Sequence, residues 1–194
     1  YALLFHGVRV VMPPPFLCCG YPFQVNAKKK KHMEIVLRNT IVFSQIRDMF
    51  SDLTFDACLV SCGTCMEALT QFGAGNIFDA PVSDVFAFLD TFFSIKGMEN
   101  DCYYHTPCHD SLEGTGEKRL GNAGCGNIIS IPHCCSEAGT LAMSRPDIAG
   151  SLLDRKSSAI RSQMPLSVDP PVVLTNCPSC IQGLGRHPGT GIIP

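Results

Sequence analysis

The chain has no tryptophan, and only 16% of its 194 residues are charged, 15 Lys and Arg against 17 Asp and Glu. A formal net charge of −2 gives no electrostatic ground for a nucleic-acid partner or for attraction to an anionic membrane surface. The one charge run, Lys28 to Lys31, reads as a solvated helix start or loop, with an anion or partner contact as the alternative. No apolar run approaches the ~18 residues that a membrane span needs, and the start carries no secretory signal pattern. Gly183-Leu184-Gly185 is too short for a phosphate-cradling loop, and no Ser-His-Asp arrangement has supporting context. These absences set aside membrane spanning, phosphate-loop chemistry and serine-type hydrolysis.

What is plentiful is cysteine, with 12 residues in a chain that is 45% hydrophobic and has a mean hydropathy of +0.16. Such a chain has apolar material for a real core, so the thiols are not rescuing a sequence too small to fold. Their density lies below that of small secreted disulfide scaffolds, and the adjacent pairs Cys18-Cys19 and Cys134-Cys135 would bond internally only with strain. In a reducing cytosol this spacing points to metal ligation or redox chemistry.

The cysteines also repeat. Cys18-Cys19 is followed by Cys62 and Cys65, and Cys134-Cys135 by Cys177 and Cys180. The interval from Cys19 to Cys62 is 43 positions and that from Cys135 to Cys177 is 42. A period of about 115 residues carrying four thiols per copy marks a duplicated unit. Two domains are expected, residues 1–97 and 98–194, with the boundary near Met98 to Asp101.

Short β-branched runs alternate with helical stretches in both halves. Val8–Val11 reads as a strand stopped by Pro13-Pro14-Pro15, Asn39–Phe50 as a helix, and Ala57–Ser61 as a buried strand entering Cys62. Val82–Phe93 reads as a helix with Pro81 in its first turn. Downstream, Tyr103–His105, Asn127–Ile131 and Pro171–Asn176 read as strands, each running toward a cysteine. Pro146–Gln163 is a helix with Ser144 as its expected cap. Strand–helix alternation predicts an α/β fold of two pseudo-repeated parallel-sheet, Rossmann-like units. The thiols then gather at the carboxyl edges of the strands, where such folds build sites. The Cys-x-x-Cys pairs fall at helix N-termini, whose dipole favours thiolate over thiol.

In the second copy five thiols converge, Cys108, Cys134, Cys135, Cys177 and Cys180, one more than tetrahedral zinc takes. A thiolate-rich set suits an iron–sulfur cluster. The first copy offers Cys18, Cys19, Cys62 and Cys65, a set open to zinc or an incomplete cluster. The counterpart of Cys108 would fall roughly eight residues before Tyr1, so the chain is expected to be a piece of a longer polypeptide. Cys58 reads as a small core residue, and Cys102 and Cys125 have no assigned task. His105, His109 and His133 flank the thiols and are placed either to serve the centre or to be satisfied structurally. Arg155 and Lys156 read as solvated, with a cationic role near the centre as the alternative.

The segments FLCCGYPF, SCGTC, YHTPCHDS, IPHCCSEAGTLAMSRPDIAGSLLDRK and TNCPSCIQGLGR resemble the tandem cysteine-rich (CCG) domain. That domain occurs in one of the subunits of heterodisulfide reductase and in iron–sulfur subunits of glycolate oxidase, anaerobic glycerol-3-phosphate dehydrogenase and lactate-utilisation proteins. The second half looks closest to FAD-linked D-lactate or glycolate dehydrogenase-type Fe–S oxidoreductases. The resemblance implies a [4Fe-4S]-type cluster, non-cubane in heterodisulfide reductase, at each complete motif. Residue by residue it assigns Cys108, Cys134, Cys135, Cys177 and Cys180 to one site and Cys18, Cys19, Cys62 and Cys65 to the other. Ser136 stands where the resemblance expects glycine.

The implied role is electron transfer within a flavin-linked 2-hydroxy-acid oxidoreductase, with FAD on another domain or subunit, a ferredoxin-like Fe–S domain as partner, and a quinone or other acceptor. The implied location is the cytoplasm, including the inner face of the cytoplasmic membrane. Without a flavin signature this segment is not expected to oxidise substrate alone. Disulfide reduction at the cluster and a structural zinc-binding interaction module are the alternatives.

Overall fold

The computed structural model describes residues 1–93, 95–96, 101–137, 141–163 and 172–185. It divides into two compact units, Tyr1–Ser94 and Ile95–Pro194. Both are α/β with parallel strands, as the alternating pattern predicts. The Met98–Asp101 boundary lies largely outside the described residues, as does Pro171 of the last expected strand.

In the first unit, strands β1 (Cys58–Val60) and β2 (Val82–Asp84) pair in parallel, Cys58 opposite Val82 and Val60 opposite Asp84. The helix Gly63–Phe72 and the short helix Ala74–Phe78 form the crossover between them. Phe43, Phe55, Phe72 and Phe78 pack with tilted and edge-on rings, their centroids 5.0–6.0 Å apart. The long helix Lys29–Met49 extends ten residues further upstream than its apolar period reveals, because its lysine-rich start is solvated.

Two expectations change here. Val82–Asp84 is a strand, and the helix begins only at Val85. The buried Asp84 ends the ladder and caps the helix, its carboxylate accepting from the N–H groups of Phe86 at 2.7 Å and Ala87 at 3.4 Å. Val8–Val11 forms no ladder among the described residues. It lines an open groove of about 890 Å³ together with Leu59, Val60 and Phe88.

In the second unit three parallel strands run in the order β4-β3-β5, with β3 (Cys102–Tyr104) central between β4 (Ile128–Ser130) and β5 (Val173–Leu174). Tyr104 lies opposite both Ser130 and Leu174. The core gathers Tyr103, Ile131, Ile160, Val173 and Leu184 with three cysteines, Cys135, Cys177 and Cys180. The helix Pro146–Gln163 matches its expected span, with proline at the first position. The residue immediately before it is Arg145, one beyond the expected cap Ser144. Ser144 ends the preceding helix Leu141–Ser144, and the carbonyl of Arg145 accepts the first bond, from Ala149 at 3.1 Å. No helix among the described residues is long and apolar enough to cross a membrane.

Candidate metal centre

Every strand that precedes a site cysteine delivers it just past the carboxyl end. Cys62 follows β1, Cys108 follows β3, Cys134 follows β4, and Cys177 follows β5. Parallel pairing points these ends one way within each unit, so loops distant in sequence meet.

In the second unit Cys108 Sγ lies 3.8 Å from Cys134 Sγ. Cys180 contacts the thiols of both Cys135 and Cys177. His105 joins them: a ring nitrogen, Cys135 Sγ and Cys180 Sγ all lie within 4.8 Å of one another, and all three residues are buried. The five thiols singled out by spacing thus fall into a Cys108–Cys134 pair and a Cys135–Cys177–Cys180 group, with Cys134 packed against the core that holds the second group and an imidazole added to it.

Backbone features hold the set together. Cys177 precedes the helix Pro178–Gly185, and its carbonyl accepts from Ile181 N–H at 3.1 Å, leaving Cys180 in the first turn. Gly183 on that helix sits against Cys135, where an added Cβ would come 2.6 Å from the Cys135 carbonyl oxygen. This close approach, not phosphate binding, is the use of that glycine. Asn176 links two site loops: its Oδ1 accepts from the Tyr104 hydroxyl at 3.2 Å, and its amide donates to Asp110 at 3.0 Å and Ser111 at 3.1 Å. Asp110 in turn receives the N–H groups of Leu112 at 2.9 Å and Gly114 at 2.8 Å, fixing the loop just after Cys108. Neither Asn176 nor Asp110 carries a sequence signal beyond adjacency to a cysteine.

The close thiols shift one another's titration in opposite directions. The Cys135 thiol is lowered to about 4, first by the Cys180 thiol, against the opposing cost of burial, and further by His105 and the Glu137 N–H. Cys180 is pushed far up by the same contact and by Cys177. Cys108 rises to about 11 through lost hydration and the neighbouring Cys134. Close thiols share protons because they cannot all ionise together without positive charge between them.

Lys156 corrects the sequence reading. It is fully buried, not solvated, and donates to the carbonyl oxygens of Ile131, Pro132 and His133 at 3.2, 2.8 and 3.0 Å. Burial lowers its ammonium to about 8, while Cys135, Cys180, Cys134 and Cys108 hold it up. Cys102, without an assigned task in the sequence, is wholly buried in β3 with its thiol against Cys125.

In the first unit the thiol of Cys65 contacts those of Cys19 and Cys62. Cys19 is lowered to about 6, first by Cys65, and Cys65 is raised. Cys62 caps the helix Gly63–Phe72 in extended conformation, as the dipole argument anticipates. Cys18 is exposed and takes no part in these thiol contacts; its Sγ accepts the Gly20 N–H at 3.5 Å. Asn39 of the long helix secures this loop by donating to the Cys18 carbonyl at 2.9 Å. Cys58 is half-buried in β1, and burial raises its thiol.

The donor chemistry of the second unit fits an iron–sulfur cluster: five soft thiols, one strongly acidified, with a buried nitrogen and a buried ammonium beside them.

Comparison with known proteins agrees with this chemistry. The cysteine-rich domain described as CCG matches residues 3–70 and again 102–185. A fumarate reductase (CoM/CoB) subunit of Methanothermobacter marburgensis is 27% identical over 188 residues, covering 90% of this chain and 35% of its own length. An uncharacterized iron–sulfur protein of Methanocaldococcus jannaschii is 27% identical over 182 residues, covering 90% and 34%. The chain therefore spans about a third of the length of the curated relatives it matches. No solved structure gives a significant match.

Proposed function

The chain belongs to the cysteine-rich CCG domain family, and we propose that it is the iron–sulfur electron-transfer portion of a larger oxidoreductase. The observation that carries this reading is the gathering of two thiol groups at one sheet edge: Cys135, Cys177 and Cys180, buried around the acidified Cys135, and the pair of exposed Cys108 and half-buried Cys134. A four-iron cluster held by these residues supplies one-electron transfer. The protein's own part is to ligate it, exclude water with Ile131, Ile160 and Leu184, and surround its sulfur with N–H donors. Cys19, Cys62 and Cys65, with Cys18 at the surface, are the corresponding ligands of a second, weaker site.

Partners follow from the relatives' reductase and iron–sulfur names: this portion would work beside other redox domains or subunits. The motif resemblance supports a flavin on another domain or subunit oxidising a 2-hydroxy acid of the lactate or glycolate type, a ferredoxin-like domain beside it, and a quinone or other acceptor downstream. A second reading, disulfide reduction at the centre, is favoured by the fifth thiol, one more than a four-iron cluster takes from a protein.

Anaerobic reconstitution followed by iron, zinc and acid-labile sulfide analysis tests the proposal. About four iron and four sulfide per occupied site are expected. Stoichiometric zinc without sulfide would establish the structural zinc module instead. Reoxidation of the reduced centre by a small organic disulfide, absent with a quinone, would promote the second reading over the first.

A further inference from the structure

Lys156 is buried with no exposed surface, an arrangement that burial of a charge permits only with full compensation. Three carbonyl oxygens, those of Ile131, Pro132 and His133, lie at 2.8–3.2 Å from its Nζ. A fourth neighbour, His105 Nδ1, lies at 3.0 Å. The three hydrogens of an ammonium serve these four neighbours, one of them shared, and it has no lone pair to receive a proton, so an Nδ1–H facing it would be repelled and Nδ1 carries the lone pair. The ring proton of a neutral His105 then resides on Nε2. Nε2 is buried and meets no hydrogen-bond partner among the described residues, while a ring nitrogen lies within 4.8 Å of Cys135 and Cys180 Sγ. A buried N–H without an acceptor is costly, and the group within reach is sulfur.

The duplication supplies an internal control. Asn39 follows Cys19 by 20 positions and Lys156 follows Cys135 by 21, each on the long helix after its Cys-Cys pair. Asn39 ties down its loop through a single carbonyl, that of Cys18. Securing the loop therefore needs only a neutral donor. The lysine adds a positive charge and a grip on an imidazole.

We infer that Lys156 is a positioning residue that locks His105 in the Nε2–H tautomer, making the imidazole a buried N–H donor to the sulfur of the Cys135–Cys180 centre. Donation to sulfur and a nearby cation both favour the more negative, reduced state of such a centre, so the pair raises its reduction potential. That consequence rests on the cluster reading; the tautomer does not.

Nitrogen-15 NMR of the metal-free 194-residue chain, labelled at histidine, reads the tautomer directly. A bare Nδ1 and a protonated Nε2 are expected for His105, relaxing to a mixture in Lys156→Asn; a proton on Nδ1 of the unsubstituted chain overturns the inference. In the reconstituted chain, an EPR-monitored redox titration should show a negative shift for Lys156→Asn and for His105→Leu. Lys156→Asn should shift the potential less in the H105L background. Unchanged potentials in both single variants, or equal shifts with and without His105, also overturn it. Should Lys156→Asn not fold, the tautomer of the unsubstituted chain and the potential of His105→Leu decide. A chain that takes up no iron defeats the proposed function, and the NMR result still decides this inference.

Discussion

The turn after each Cys-Cys pair shows how much one residue can matter. Gly20 follows the first pair at φ +87 and Ser136 follows the second at φ +68. Both occupy the left-handed region, which glycine enters freely and a residue with a Cβ does not. The resemblance places glycine at 136, and the structure keeps the glycine conformation with serine in it. The buried Ser136 Oγ also finds no hydrogen-bond partner among the described residues. Ser136→Gly is therefore expected to stabilise the metal-free chain by about 1–2 kcal/mol in denaturant unfolding. Gly183→Ala goes the other way: its Cβ would meet the Cys135 carbonyl at 2.6 Å and Glu137 Cβ at 2.9 Å. A loss of about 1–3 kcal/mol and reduced iron uptake are expected, measured by unfolding and metal analysis. The ligand thiols were legible in the sequence because ligation fixes both residue type and spacing. Lys156 was not, since Asp154, Arg155, Ser157 and Ser158 around it look like a solvent face. Only the loop packed over the helix makes it interior.

Among the elements, the long helix Pro146–Gln163 was legible end to end, because an apolar stripe repeated over several turns and an N-terminal proline leave little choice. Short elements were not. Val82–Asp84 carries an apolar pattern that a helix also accepts, and its strand state is decided by the ladder to Cys58–Val60 and by the Asp84 cap. Val8–Val11 has strand composition, but a strand needs a neighbour, and composition does not supply one. Asp84→Ala tests the cap. It should cost about 0.5–2 kcal/mol and fray Val85–Phe92, seen as lost amide protection at Phe86 and Ala87. Asn176→Ala should cost about 1–3 kcal/mol by removing its hydrogen bonds to Tyr104, Asp110 and Ser111, and should loosen Cys108 from the other ligands.

For the molecule as a whole, the duplication reads as two sites of unequal quality. Both have a Cys-x-x-Cys at a helix start and a polar residue of the long helix tying down the Cys-Cys loop. The second adds Cys108, His105 and the charge of Lys156, and three of its thiols, Cys135, Cys177 and Cys180, belong to the hydrophobic core, while Cys108 is exposed. In the first, Cys18 faces solvent. Loss of a ligand should therefore register differently in the two units. Cys135→Ser and Cys180→Ser should abolish the dominant cluster signal, whereas Cys19→Ser should leave it standing. The direct measurement is EPR and iron quantitation of the anaerobically reconstituted chain beside Cys135→Ser. The account predicts a four-iron signal in the unsubstituted chain that disappears in the variant. A chain that binds no iron under these conditions, or a signal indifferent to Cys135, would contradict it.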